Sequence, residues 1–144
     1  LEQQIQKSIE TTMRGQPPAA GQVQALAAYL MSLSPPPSIA SLQGSVAVES
    51  LERGRHIFNE RGCADCHQPP TYTSSDVYDV GLADANNQSL FNPPSLRGVG
   101  HRQRLLHDGS ASSIREALDV HPLGHPLALN DAEWSDLTTF LQSL

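Results

Sequence analysis

The chain has 144 residues, of which 38% are hydrophobic and only 5% aromatic, a thin side-chain core for one domain with some extra length. Its formal net charge of −6 argues against nucleic acid as a partner, because binding phosphates takes clustered cations. No apolar run is long enough to span a bilayer as a helix.

Leu1, Ile5, Ile9 and Met13 recur every fourth residue and predict one helical face. Gly15, Pro17 and Pro18 break it, and Val23, Leu26, Ala27, Leu30 and Leu33 form a second helical stripe, with Met31 read as part of its core. Residues 1–33 are polar and hold no cleavable apolar block, so no signal peptide is read there. The first residue is Leu1 and not Met, which suggests a processed or excised piece of a longer protein. "SPPPSIASLQGS", residues 34–45, reads as a semi-rigid linker, since three consecutive prolines cannot continue a helix.

A helix is expected from about Val46 to Arg61, with Val48, Leu51, Ile57 and Phe58 on its apolar side and Gly62 ending it. Residues 68–100 are rich in Pro, Gly, Asn, Ser and Asp and predict a long loop, with short strands around "VYDVGL". A loop of that length is uncommon in a compact domain unless it has a function. Ser112 or Ser113 would cap the next helix, which buries Ile114, Ala117 and Leu118. Asn130 or Asp131 would cap the last, whose face is Trp134, Leu137, Phe140, Leu141 and Leu144. Trp134 reads as core and not as an electron conduit. The pattern requires no sheet of any size, so the fold class is all-α.

The chemistry-bearing motif is "GCADCH". It holds both cysteines of the chain, Cys63 and Cys66, with His67 directly after them. A disulfide across two intervening residues would constrain the unfolded chain little. A thioredoxin-like pair belongs to a βαβ setting that this pattern lacks. A zinc site would need further ligands at suitable spacing, and there is no second cysteine pair. C-x-x-C-H is the signal for covalent haem attachment: two thiols add to the two vinyl groups, and the adjacent imidazole meets the iron from one face. One covalent haem c is therefore expected, and so large an apolar body also accounts for the thin side-chain core. Haem c is attached outside the cytoplasm, so a periplasmic or otherwise exported location is expected. Of the eight arginines, seven lie between Arg53 and Arg115, and some are candidates for pairing with haem propionates.

An internal echo links the two ends of the chain. "SIETTMRG" followed by "VQALAAYLMSL" resembles "ALDVHPLG" followed by "WSDLTTFLQSL". Each is a helix, a Pro/Gly break and a helix ending in aromatic–Leu–x–Ser–Leu. The organisation expected is residues 1–33 as the helical tail of a preceding, truncated haem domain, a linker at 34–45, and a c-type cytochrome domain at 46–144.

The second axial ligand decides between electron transfer and peroxide chemistry. The candidates are Met13, Met31, His56, His101, His107, His121 and His125. Met13 is also a candidate ligand of the missing upstream haem. His121 follows a helix, and Pro122 with Gly124 fixes a turn that could aim its ring at the iron; His125 is the rival.

The stretches "GCADCH", "VGL", "PPSLRGV" and "LLHDGS", with the helix after them, resemble the carboxy-terminal haem domain of bacterial di-haem cytochrome c peroxidases over about residues 47–144. The resemblance implies a cytochrome c-like helical domain around one haem, the electron-transferring one of two. It implies a distal ligand, usually Met, at the end of the helix after the HDG motif. Here that position is His121, so bis-histidine ligation by His67 and His121 is implied. It also implies that Arg97 lies near the propionates, with Arg102 and Arg104 assisting, and that His107 and Asp108 brace a loop. The family's "TAPY"-like stretch is replaced by "HRQR". Family members bind calcium between their domains, whereas Asp76, Asp79 and Asp84 read here as surface charge. The function expected is single-electron transfer, with a redox partner protein or an adjacent haem domain as partner. The enzyme alternative is peroxide reduction at an open or displaceable sixth site, with His107, His121 or His125 as acid–base group. A third reading is an interaction module in which haem is a structural staple.

Overall fold

A computed structural model describes residues 1–42, 44, 46–121 and 127–144. Pro122, Gly124 and His125 lie outside the described residues. The described chain is mostly helical, with seven α-helices and one two-stranded ladder, as expected for an all-α fold. It divides into two compact units, Leu1–Pro35 and Pro36–Leu144. No described helix is long and apolar enough to cross a membrane.

The first unit holds α1 (Glu2–Lys7), a wider π turn (Ser8–Thr12) and α2 (Ala20–Ser32). Ile5, Val23 and Ala27 are buried together, with Ile9 packed against them. The stripe read on α2 is only partly buried. Leu26, Leu30 and Leu33 are exposed, and Met31 is 79% exposed, so Met31 is not a core residue of this unit. The cause is geometric: α2 meets α1 along one narrow side, and the rest of its apolar surface has no neighbour within the unit.

The second unit is built on the crossing of α4 (Val48–Glu60) and α7 (Asp131–Gln142). Gly54 sits at the contact. A β-carbon there would stand 2.1 Å from the Asp136 carbonyl oxygen and 2.7 Å from the Phe140 β-carbon, so glycine sets how closely the helices approach. The crossing is also pinned by charge. Arg53 donates from Nε to Asp136 Oδ2 at 2.6 Å and from a terminal nitrogen to Oδ1 at 3.0 Å. Ser50 Oγ donates to Asp136 Oδ1 at 2.5 Å. Next to this polar clamp, Phe58, Phe140 and Tyr72 pack edge-on or tilted with ring centres 5.4 to 6.1 Å apart. Leu137 is fully buried beside them. Val48, read as part of the apolar side of α4, is 63% exposed, because it stands in the first turn, beyond the crossing.

The smaller elements follow from local chemistry. Gly62, in the left-handed region at φ 73°, ends the α4 segment and starts the one-turn helix α5 (Cys63–Cys66). Ser113 Oγ accepts from Glu116 N at 3.1 Å and caps α6 (Ile114–Val120). Asn130 and Glu133 cap α7 reciprocally at 3.0 and 2.8 Å, a capping box that selects Asn130 over Asp131. The linker stretch carries a short helix, α3 (Ile39–Leu42). Between residues 68 and 98 the only regular structure is β1 (Tyr78–Asp79) paired antiparallel with β2 (Leu90–Phe91), within the loop expected there. Asp79 and Asp84 accept from nearby backbone N–H groups and so hold turns of this loop. Trp134 is buried on α7, and the Arg115 guanidinium lies 3.8 Å over its ring.

Candidate functional site

The second unit encloses a cavity of about 380 Å³, within the range of pockets that hold sizeable organic ligands. Its floor is Phe58, Leu137 and Leu141, from the α4–α7 crossing. One wall is Cys63, Cys66 and His67, held by α5. The long loop supplies Tyr78, Val80, Leu82, Phe91, Pro93 and Pro94, and the facing wall is Leu105, Leu106, Ile114, Ala117, Leu118 and His121. The lining is mostly apolar, and its nitrogen-bearing side chains are His67, His107, His121, Asn92, Arg102 and Arg104. The loop that composition marked as unusual is thus a wall of the cavity.

His67 is oriented by the backbone. Its Nδ1 lies 3.1 Å from the carbonyl oxygen of Tyr72. A carbonyl only accepts, so Nδ1 carries the proton and the lone pair is on Nε2, the tautomer suited to a metal ligand. Tyr72 reaches this position with φ 52°, in the left-handed region that a tyrosine adopts only when its surroundings fix it. Thr73, next in sequence, donates its hydroxyl to the Pro93 carbonyl and ties this turn to the far end of the loop.

His121 is the first residue beyond α6. Its ring centre lies 6.4 Å from that of His67, with the planes at 53°. A metal bonded to one nitrogen of each ring, at about 2.0–2.1 Å per bond, would separate the two ring centres by about 6.3 Å. The His121 Nδ1 is buried and has no partner among the described residues. A buried nitrogen left unpaired costs about 1–3 kcal/mol, so this nitrogen calls for a partner beyond the described residues. Burial holds both imidazoles below the ordinary histidine range; the His67 ring lowers His121 further, while the Tyr72 and Pro94 backbones oppose the shift at His67. Both shifts favour the neutral form that a metal ligand requires.

The thiols are not primed as a redox pair. Burial pushes Cys63 up to about 11, and burial with the nearby Asp65 carboxylate raises Cys66. A reactive C-x-x-C needs the opposite shift.

The structure thus brings Cys63, Cys66, His67 and His121 to one cavity. It does not bring Arg97 there: this side chain is exposed and is not among the lining residues, whereas Arg102 and Arg104 are. His107 also lines the cavity, stacked on Phe91 with ring centres 4.6 Å apart. Asp108 accepts from Ser110 N at 3.0 Å, and Leu105 bridges Ala111, so the HDG segment closes on itself. His56 pairs with Glu60, and His101 Nε2 meets the Pro37 carbonyl at 2.7 Å, both away from the cavity. Met13 and Met31 belong to the first unit and are exposed. The residues that composition did not single out are Phe91 and Tyr72; a loop aromatic flanked by Leu and Asn carries no period that marks it as a cavity wall.

No protein-family model matches the chain. Two curated proteins are similar to it. Methylamine utilization protein MauG of Methylophilus methylotrophus is 28% identical over 123 residues, covering 67% of this chain and 37% of that protein. Methylamine utilization protein MauG of Methylorubrum extorquens is 27% identical over 119 residues, covering 65% and 34%. The chain therefore spans about a third of the length of the curated relatives it matches, and the similarity is a loose one.

Proposed function

We propose that this chain is a mono-haem c-type cytochrome domain that passes single electrons within a larger, cytochrome c peroxidase-like protein. The observation that carries this reading is the pair of imidazoles, His67 and His121, with ring centres 6.4 Å apart on a mostly apolar cavity bordered by both thiols of the chain. The loose similarity to the MauG proteins points the same way.

The donor set fits one covalent haem c. Cys63 and Cys66 would tether the ring at the α5 wall, His67 would hold the iron from the side of Tyr72, and His121 would hold it from the end of α6. The group, when bound, supplies a one-electron ferric–ferrous couple. The protein's part is to change little while that couple turns over. The Tyr72 carbonyl fixes His67, the α6 cap fixes where His121 emerges, and Phe58, Leu137 and Leu141 keep water from the floor of the site. With His67 and His121 both fixed by the fold, single electrons would be exchanged with a redox partner protein or adjacent haem domain without either imidazole having to move. Imidazole in place of a methionine thioether lowers the reduction potential. Residues 1–33 fit the helical tail of a preceding haem domain, and export to the periplasm fits covalent haem attachment.

The second reading, peroxide reduction at this haem, is favoured by one observation: His107 lines the same cavity and could serve as an acid–base group. The visible spectrum of protein made in a host competent for cytochrome maturation separates the two. Low-spin six-coordinate iron in both oxidation states, unmoved by peroxide or carbon monoxide, supports the shuttle. His121→Ala should then give a high-spin ferric species. A wild-type high-spin ferric form that reacts with peroxide, or a ligand field unchanged by His121→Ala, refutes the shuttle with this ligand pair.

A further inference from the structure

We propose that Arg102 and Arg104 together form the anion-binding mouth of the cavity and hold the two carboxylate arms of its occupant without Arg97, to which the family resemblance gives the leading part. The inference rests on the haem reading above and deepens it.

Both side chains line the cavity and both are exposed, so they stand where an otherwise apolar pocket opens to water. Each is steered by a backbone carbonyl and not by an acid. A terminal nitrogen of Arg102 donates to Ser95 O at 2.8 Å, and one of Arg104 donates to Gly109 O at 3.1 Å. Gly109, at φ 70°, lies against the alkyl stem of Arg104, so the closed HDG loop fixes that stem as well. Among the described residues neither guanidinium has a carboxylate within ion-pair distance, although acids outnumber bases in this chain, 15 to 9. A guanidinium has five N–H donors, and each of these has engaged one terminal nitrogen, leaving the rest for an incoming carboxylate. Two steered, unpaired cations at the mouth of an apolar pocket match an amphiphilic ligand with a large apolar body and two acidic arms. A haem tethered at Cys63 and Cys66 is such a ligand. The "HRQR" stretch, where this chain departs from its resemblance, is then the segment that supplies the cations, and Arg97, which does not line the cavity, is left for the outer surface.

The test is the midpoint potential of the holoprotein at pH 7. Ferric haem carries one more positive charge than ferrous, so removing two cations from the mouth favours the ferric form: Arg102→Gln/Arg104→Gln should lower the ferrous-to-ferric ratio by about tenfold, which is a midpoint potential lower by ~59 mV for one electron. The soret and visible bands should stay those of the wild type. Arg102→Lys/Arg104→Lys, which keeps the charge, should recover most of the shift, and Arg97→Gln should move the potential much less. A double Gln variant with unchanged potential, or Arg97→Gln carrying the larger shift, overturns the assignment while the haem reading stands. A colourless wild-type product with the mass of the bare polypeptide overturns both.

Discussion

Gly54→Ala places a methyl group in the α4–α7 crossing, and two effects of opposite sign then compete. Alanine is the better helix former by about 1 kcal/mol, which taken alone would stabilise α4. Against this, the new β-carbon would stand 2.1 Å from the Asp136 carbonyl oxygen, 2.7 Å from the carbonyl carbon and 2.7 Å from the Phe140 β-carbon. Ordinary contact between such atoms is about 3.5 Å or more, so the helices must part by more than about 1 Å. None of these atoms is the free end of a flexible side chain, so a rotamer change gives no relief. Parting the helices also loosens Phe58, Leu137 and Phe140, which pack across the same seam. Overpacking of a tight core costs about 1–3 kcal/mol and more when backbone is struck, so the clash wins and the net loss should be about 2 kcal/mol. In a unit of this size that lowers the melting temperature by about 8 °C. Urea unfolding followed by circular dichroism should show a lower midpoint with an unchanged slope. Gly21→Ala on α2 is the matched control: a β-carbon there meets nothing within 4 Å. Helix propensity alone acts at that site, and the change should stabilise by about 0.5–1 kcal/mol. A Gly54→Ala protein as stable as the wild type, or more so, would refute the close crossing.

Two further outcomes follow from the same geometry. The Arg53 guanidinium, and after it the Ser50 hydroxyl, hold the Asp136 carboxyl below the usual carboxylate range. The unfolded chain therefore takes up that proton first as the pH falls. The contribution of Asp136 is complete above about pH 4 and is lost as the pH drops through its folded-state value. Asp136→Asn should remove this part of the acid limb in a series of unfolding midpoints against pH, and a limb identical in both proteins would show that the clamp does not operate. Ser113→Ala removes the cap of α6, a helix of seven residues, at a cost of about 1 kcal/mol. Because His121 is the next residue after that helix, the loss should appear in the holoprotein spectrum as a growing high-spin fraction on warming, ahead of global unfolding. A ligand field that melts together with the helices would show that α6 does not position the ring.

The helical elements were legible because their signals are local. The stripe Trp134, Leu137, Phe140, Leu141 is a helical period, and all four residues are buried. Ser113 and Asn130 are cap residues at the start of such periods, and both act as caps. What the pattern did not disclose was which apolar positions have a neighbour. Met31 and Val48 sit in plausible stripes and are exposed, since burial depends on what lies opposite and not on periodicity. Gly54 is the reverse case. In sequence it is a weak helix residue between two arginines; in the fold its missing side chain is what lets α7 approach.

The candidate site divides along the same line. Cys63, Cys66 and His67 are adjacent in the chain, so their chemistry reads directly. His121 comes 54 positions after His67. Its approach depends on how α6 packs, on the Ser113 cap that sets where α6 begins, and on a closed 105–111 segment that delivers the chain to that cap. No spacing rule carries that information. The arginines show the limit most clearly. Composition says that cations cluster between residues 53 and 115, yet Arg97, Arg102 and Arg104 are indistinguishable as letters. They part company only in the fold, where Ser95 and Gly109 offer carbonyls to Arg102 and Arg104 and these two, but not Arg97, line the cavity. The proposed tethering motif is thus written in consecutive residues, whereas the second imidazole and the arginines of the proposed mouth are placed by backbone groups that any sequence possesses, and only the fold says where they lie.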